Sequence, residues 1–316
     1  MIEGLIVKAQ SGFFTVRTGQ GDIVCHLRGR LKQQRRLTDL ATIGDHVLIE
    51  IQPDGKGTIE HVAPRVRALT RRAPGGFGRR GQRAAAAERE QVIIANPDLA
   101  VFVFACAQPT PHLRALDRYL VMAEAQSLPS VIVANKVDLI GLEAAEDVFA
   151  AYPPLGYPVY PVSARSGEGV EALRAILKDR ITVLAGPSGA GKSSLLNAIE
   201  PGLKLRAGAV SEQTAKGKHT TVHPELHALR GGGYVADTPG MRALELFDIE
   251  PDELDAYFVE IRPLVAECTF SDCTHQNEPG CAVRAAVAAG AVSPSRYESY
   301  LRLRRGDDRG SLNNPA

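Results

Sequence analysis

The chain has 316 residues, 44% of them hydrophobic and 23% charged, with 37 basic against 36 acidic side chains. That length predicts about two domains with proper cores, and the composition excludes a collagen, a coiled coil and a wholly disordered chain. The best apolar stretch, residues 92–107, is broken by Asn96, Pro97 and Asp98, short of the ~18 residues of a membrane helix. Met1-Ile2-Glu3-Gly4 has neither the basic start nor the apolar core of a signal peptide. A cytoplasmic protein with no membrane partner is expected.

The balanced charge hides an asymmetry. Residues 1–90 hold sixteen basic and nine acidic side chains, leaving twenty-one and twenty-seven for the remainder. A basic first third on an acidic body fits a polyanionic partner docking at one end; a solvated arginine linker gives the same imbalance.

Residues 1–68 predict a small all-β barrel. Leu5-Ile6-Val7, Phe13-Phe14-Thr15-Val16, Asp22-Ile23-Val24-Cys25 and residues 46–51 are short β-rich runs. Gly12, Gly19-Gln20-Gly21, Gly44-Asp45 and Pro53-Asp54-Gly55 supply turns between them. Four or five such strands suit an OB-like barrel, whose closure removes exposed edges; an SH3-like barrel has nearly the same signature. OB-type barrels bind nucleic acid through basic and aromatic residues, here Arg17, Arg28, Arg30, Lys32, Arg35 and Arg36 with Phe13 and Phe14. A solvated arginine face is the competing reading, and at least one phenylalanine is expected in the core.

Residues 69–88 read as a basic Gly/Arg linker. Seven arginines and no acid lie between Arg65 and Arg83, and Ala73-Pro74-Gly75-Gly76-Phe77-Gly78 suits neither helix nor strand. Residues 89–245 then alternate strands and helices. Strands are expected at 92–95, 99–107, 130–134, 157–162 and 181–185, helices at 113–126, 143–150 and 170–177. That alternation predicts an α/β domain with a parallel-rich sheet covered on both faces.

Asn135-Lys136-Val137-Asp138 closes the strand at 130–134. Asp138 offers two acceptor oxygens that suit the N1–H and exocyclic amine of guanine, whereas adenine presents the opposite pattern. Lys136 can lie over the base, and Asn135 can reach N7 or tie neighbouring loops together. Ser163-Ala164-Arg165 ends the next strand, with a backbone amide able to meet the guanine O6. Gly186-Pro187-Ser188-Gly189-Ala190-Gly191-Lys192-Ser193 fits G-x-x-x-x-G-K-[ST] between an apolar strand and a helical run opening at Ser194. Its backbone amides cradle phosphates at a helix N-terminus. Lys192 can bridge β- and γ-phosphate oxygens, and the Ser193 hydroxyl can ligate Mg²⁺. Asp237-Thr238-Pro239-Gly240 follows a further strand, with Asp237 placed for Mg²⁺ and Gly240 for a γ-phosphate contact. Together these elements point to a GTPase, and Asp138 disfavours a metabolic P-loop kinase.

Residues 208–222 are rich in glycine and polar residues and read as a flexible first switch. Thr221, with Thr220 as the near alternative, is expected to close over Mg²⁺ and the γ-phosphate. Met241 stands where many GTPases place a water-orienting glutamine, so His219 is the candidate for that role. An exposed loop histidine without a catalytic part is the competing reading.

The motif order is unusual. N-K-V-D (135–138) and S-A-R (163–165) precede the phosphate loop (186–193), and D-T-P-G (237–240) comes last. Circular permutation explains it, because permutation preserves a site when the termini lie close together. Residues 246–316 read as mostly helical, interrupted by Cys268-x4-Cys273-x-His275-x5-Cys281. Three thiolates and one imidazole close a tetrahedral Zn²⁺ shell with no open position, hence a structural zinc. Free thiols or a disulfide are less suited to a chain without a secretion signal. Cys25 and Cys106, each alone in an apolar run, are expected as buried thiols.

With the barrel, the permuted motif order, Gly217-Lys218-His219-Thr220-Thr221 and the cysteine–histidine cluster, the chain resembles the circularly permuted ribosome small-subunit-dependent GTPase A family over nearly its whole length. The resemblance implies an OB-fold, a permuted GTPase domain and a C-terminal zinc domain. It also implies GTP and GDP as ligands, late assembly of the small (30S) subunit with its 16S rRNA as partner, and turnover stimulated by that subunit. It further implies a hydrophobic-substituted GTPase, in which a residue other than the one after D-x-x-G positions water. A monomer suffices. The rival reading is a GTP-dependent, protein-binding signalling switch with no RNA partner.

Overall fold

The computed structural model describes residues 1–29, 40–72, 90–203, 225–237 and 249–306. Its strands are β1 (Ile2–Gln10), β2 (Phe13–Thr18), β3 (Gly21–Leu27), β4 (His46–Ile51), β5 (Gly57–Val62), β6 (Ala68–Arg72), β7 (Glu90–Ala95), β8 (Leu99–Ala105), β9 (Ser130–Asn135), β10 (Val159–Val162), β11 (Ile181–Ala185), β12 (Glu225–Ala228) and β13 (Tyr234–Asp237). Its α-helices are α1 (Leu113–Ala125), α2 (Leu142–Val148), α3 (Val170–Leu177), α4 (Lys192–Ile199), α5 (Leu254–Tyr257), α6 (Ala282–Ala288) and α7 (Pro294–Arg305). The chain divides into two compact units. Among the described residues, no helix is long and apolar enough to cross a membrane.

The first unit comprises Met1–Ala100, Ala172–Leu184 and Ile199–Phe247. In it β1 pairs antiparallel with β2 and β4, β2 with β3, and β4 with β5, while β3 and β5 run parallel. The circuit therefore closes, and its mixed pairing decides for the OB-like alternative, a five-stranded Greek-key barrel. A register shift between Ile6 and Lys8 bends β1, the device by which one strand serves two neighbours around a tight barrel. Ile6, Val16, Ile43, Ile49 and Ile59 fill the interior. Phe14 is buried among them and its neighbour Phe13 is exposed, as alternation along a strand requires. At the barrel's end the buried Asp45 takes a bidentate pair from Arg65, both bonds 2.7 Å, and the Thr42 amide at 2.8 Å.

Two departures from the sequence expectations stand out here. Residues 68–72, at the start of the stretch read as a linker, form β6. β6 pairs antiparallel with β7 in a two-stranded sheet, so the 92–95 run belongs there and not to the parallel sheet. Farther along, β11 and β13 are parallel, while β12, which no sequence signal announced, runs antiparallel to both β13 and β1.

The second unit comprises Val101–Glu171, Ala185–Ala198 and Asp248–Ala316. Strands β10, β9 and β8 lie in that order, β10 and β9 parallel. β8 is buried along its whole length, the signature of a strand covered on both faces. Tyr119 of α1 stacks on Phe102 of β8 at 5.5 Å between ring centroids. The opposite side of α1 meets the C-terminal segment: Val121 packs with Leu254, Phe258, Ile261, Val283 and Tyr300, and Cys273 and Cys281 share that cluster.

Among the described residues, Arg296 of α7 is the largest fully buried side chain, 1% exposed. Its guanidinium donates to Glu260 at 2.7 and 3.0 Å and to Asp117 of α1 at 2.7 Å. The Tyr152 hydroxyl donates to the same Asp117 oxygen at 2.9 Å. The cation also lies over the Phe258 ring, 4.7 Å from its centroid, a favourable quadrupole contact in a desolvated site. Burial opposes its charge, but the bonds to Glu260 and Asp117 outweigh that and raise its pKa.

Candidate guanine-nucleotide site and metal centre

Strand β11 feeds the phosphate loop, and α4 begins at Lys192, the strand–loop–helix order that the motif needs. Two glycines are dictated by close approach. Gly186 has φ +145°, and a Cβ there would collide with the Val103 carbonyl of β8; Gly191 has φ +90°, and a Cβ there would strike Asn135 Nδ2. Any side chain at either position would push the loop off its neighbours. The Lys192 ammonium folds back over the loop and donates to the Gly186 carbonyl at 2.6 Å and the Pro187 carbonyl at 2.8 Å. Those bonds hold the cation against the loop's own backbone. Pro187, Ser188, Gly189, Ala190, Ser193 and Ser194 complete the loop and the first turn of the helix.

Two further loops of the same unit are tied to it. Asn135, fully buried at the end of β9, donates from Nδ2 to the Ala190 carbonyl at 2.8 Å and accepts from the Ala164 amide at 3.3 Å. Of the two roles foreseen for Asn135, loop tying is the one its bonds perform. Of the amides in the Ser163-Ala164-Arg165 loop foreseen as able to meet O6, that of Ala164 is engaged by Asn135. Lys136 adopts a left-handed backbone, φ 67°, and its ammonium bonds the Gln108 carbonyl. Val137 is buried and anchors the turn, which leaves Asp138 exposed. The buried Ser163 hydroxyl donates to Asp138 Oδ1 at 2.6 Å, fixing the direction of the carboxylate with a charge-assisted bond. Sequence reasoning missed Gln108 and Val103. Both lie on β8 or just after it, at the carboxyl end of a parallel strand where α/β proteins gather ligand loops.

Asp237 ends β13. His219, Thr220, Thr221, Gly240 and Met241 lie outside the described residues.

The cysteine–histidine cluster assembles as its spacing suggests. One ligand atom from each of Cys268, Cys273, His275 and Cys281 lies within 4.8 Å of all the others. His275 Nδ1 is 3.6 Å from Cys268 Sγ and 3.5 Å from Cys281 Sγ. A nitrogen about 2.0–2.1 Å and a sulfur about 2.3 Å from a tetrahedral zinc stand roughly 3.6 Å apart, so these donors fit one ion. Cys281 caps α6 by accepting from the Arg284 amide at 3.5 Å. Glu278 accepts from the amides of Thr274, Gln276 and Asn277 at 2.9–3.0 Å, and the Tyr297 hydroxyl bonds the His275 carbonyl. His275 is fully buried. Burial lowers its pKa, with Asp255 opposing, which favours the neutral imidazole that ligates metals. All five cysteines are free of disulfides. Buried Cys25 and Cys106 have thiols pushed up to about 11, chiefly by desolvation.

The basic residues proposed for nucleic-acid contact divide unevenly. Arg17 is paired with Asp22 at 2.8 Å, and Arg28 with Glu60. Arg30, Lys32, Arg35 and Arg36 lie outside the described residues.

Comparison with known proteins agrees with this geometry. Residues 79–247 match the family model described as RsgA GTPase, and residues 3–59 match the RsgA N-terminal domain. A protein of Gemmatimonas aurantiaca named small ribosomal subunit biogenesis GTPase RsgA is 47% identical over 305 residues, covering 95% of this chain and 96% of its own. One of the same name from Moorella thermoacetica is 42% identical over 300 residues, 95% of each chain. Among solved structures, YjeQ from Thermotoga maritima superposes with a TM-score of 0.77 at 36% identity, covering 96% of this chain and 98% of that one. YloQ, titled a circularly permuted GTPase, gives 0.74 at 33% identity, covering 100% and 97%.

Proposed function

The chain belongs to the RsgA family of GTPases, and from that premise we propose that it hydrolyses GTP to GDP and phosphate as a late maturation factor of the small (30S) ribosomal subunit, contacting 16S rRNA and stimulated by the subunit. The observation that carries the nucleotide reading is the bonding of Asn135 to both the phosphate loop and the Ala164 loop, with Asp138 held by Ser163. It supports a pocket that reads a guanine base at one end and a triphosphate at the other.

Asp138 accepts from the guanine edge, Lys136 flanks the base, and the amides of residues 186–194 with Lys192 hold the phosphates. Ser193, Thr221 and Asp237 offer hydroxyl and carboxylate oxygens, the hard donors that Mg²⁺ takes; when bound, the ion offsets negative charge on the β- and γ-phosphates. Gly240 contacts the γ-phosphate and His219 positions the attacking water. The cysteines with His275 hold a structural zinc, whose donor set is closed to substrate. Segments 1–68, 89–245 and 246–316 act as barrel, permuted GTPase and zinc-binding domain, and the basic stretch 69–88 between the first two opens as strand β6. The protein works in the cytoplasm as a monomer.

Phosphoryl transfer depends on positioning and charge, so an unassisted first switch leaves water poorly aligned and intrinsic turnover slow. GTP turnover measured with and without purified small subunits tests the reading. Stimulation above about tenfold is expected, with His219→Ala losing most of the stimulated kcat while GTP affinity stays near that of the parent. Equal turnover with and without subunits overturns the reading in favour of a signalling switch. Unchanged kcat in His219→Ala removes that histidine from the reaction.

A further inference from the structure

We infer that Asp255 is the positioning carboxylate of the metal centre, accepting the Nε2–H of His275 and so setting the orientation and basicity of the one nitrogen ligand. The inference rests on the metal reading above and concerns a residue outside the four-ligand set. His275 has only two ring nitrogens, and the cluster assigns them opposite tasks. Nδ1 faces the sulfurs of Cys268 and Cys281, so a metal bound there leaves the proton on Nε2. Nε2 is buried and, among the described residues, has no hydrogen-bond partner. It lies 3.6 Å from Asp255 Oδ2.

An N–H buried without an acceptor is costly, and that cost disappears with little movement. A shift of about 0.7 Å brings Nε2 and Oδ2 to the ~2.9 Å of a good bond. A metal ion drawing Nδ1 into its shell adds positive charge to the ring, which strengthens the N–H donor and the attraction of the carboxylate. Metal-bound histidines are held in this manner as a rule, and loss of the partner weakens metal binding 10–100-fold.

The packing of α5 places Asp255 for the task. It sits on α5, immediately after Leu254 and three residues before Phe258, both buried in the cluster that contains Cys273 and Cys281. The helix is thus anchored to the ligand-bearing loops by packing, while Asp255 stays 19% exposed in its side chain. The Tyr300 ring, 5.9 Å from the imidazole, borders the ring as a wall. A purely structural acid at the start of α5 is the alternative, and the two differ in what they do to the ring nitrogen.

The test uses the full-length protein loaded with Zn²⁺, stripped by a competing chromogenic chelator. Asp255→Ala is expected to weaken zinc 10–100-fold. Asp255→Asn keeps the shape and an acceptor but loses the charge, so a smaller loss, on the order of tenfold, is expected. If the alanine variant does not fold, the asparagine variant decides. In the ¹⁵N-labelled, zinc-loaded protein, the His275 Nε2–H resonance should appear far downfield in the parent and move upfield in Asp255→Asn. Unchanged zinc affinity together with an unmoved resonance in Asp255→Asn overturns the inference. A parent protein that takes up no stoichiometric zinc overturns instead the metal reading on which it rests.

Discussion

Asp138→Asn is expected to exchange the base that the protein selects. In the proposed site the carboxylate accepts two bonds, from N1–H and the exocyclic amine of guanine. An asparagine amide turns one of those acceptors into a donor facing the amine, while xanthine, with an oxygen at that position, now matches. Loss of two charge-assisted bonds and the creation of an opposed donor pair should cost GTP affinity about 10³-fold or more, with a corresponding gain for xanthosine triphosphate. Ser163→Ala leaves the carboxylate in place and removes only the hydroxyl that aims it, so a loss of about tenfold is expected. Competition titrations with GTP, xanthosine triphosphate and ATP measure all three. An Asp138→Asn protein that keeps its GTP preference would remove Asp138 from base recognition.

The second large effect is on stability. Arg296→Met leaves Asp117 and Glu260, whose side chains are 3% and 5% exposed, as neighbouring buried carboxylates without their cation. Breaking a buried ion network by removing one partner costs about 3–5 kcal/mol, whereas the intact network contributes little over a hydrophobic replacement of all its members. The distinction matters here because three distant segments converge on one guanidinium: α1 through Asp117, residues 258–260 through Glu260 and Phe258, and α7 itself. The network therefore specifies how the C-terminal segment seats on α1. Urea unfolding followed by circular dichroism should show a loss of that size; a change below about 1 kcal/mol would mean that solvent or a side-chain shift relieves the two acids.

How far the molecule can be read without coordinates depends on how local the cause of each feature is. The phosphate loop was legible because glycine is the residue that tolerates the backbone of Gly186 and Gly191 and the carbonyl or amide pressed against each. The four donors of the cysteine–histidine cluster fall within fourteen positions, so their soft donor chemistry sufficed to mark them. The barrel strands followed from alternation and turn residues, while the choice of an OB-like barrel over an SH3-like one needed the parallel pairing of β3 with β5. Strand β6 escaped because an arginine-rich run preceding glycines reads as solvated chain, and only its ladder with β7 makes it a strand. Arg296 and Asp117 are 179 residues apart, and an arginine in Ser293-Pro294-Ser295-Arg296 looks like a surface residue until Glu260 and Asp117 are seen to enclose it. Asp255 escaped likewise, twenty positions before His275 and outside any ligand spacing. Arg17 and Arg28 were legible as charge but not as partners of Asp22 and Glu60, which leaves less uncommitted charge on the described barrel surface than composition suggested.

If the chain matures the small ribosomal subunit in the proposed way, its attachment should depend on the bound nucleotide, and sedimentation measures that dependence directly. Purified small subunits are spun through a sucrose cushion with the protein bound either to a non-hydrolysable GTP analogue or to GDP, at low and at high salt. Retention is expected with the triphosphate analogue, weaker retention with GDP, and a steep fall with salt from displaced phosphate contacts. Equal retention in both nucleotide states, or none in either, would contradict it.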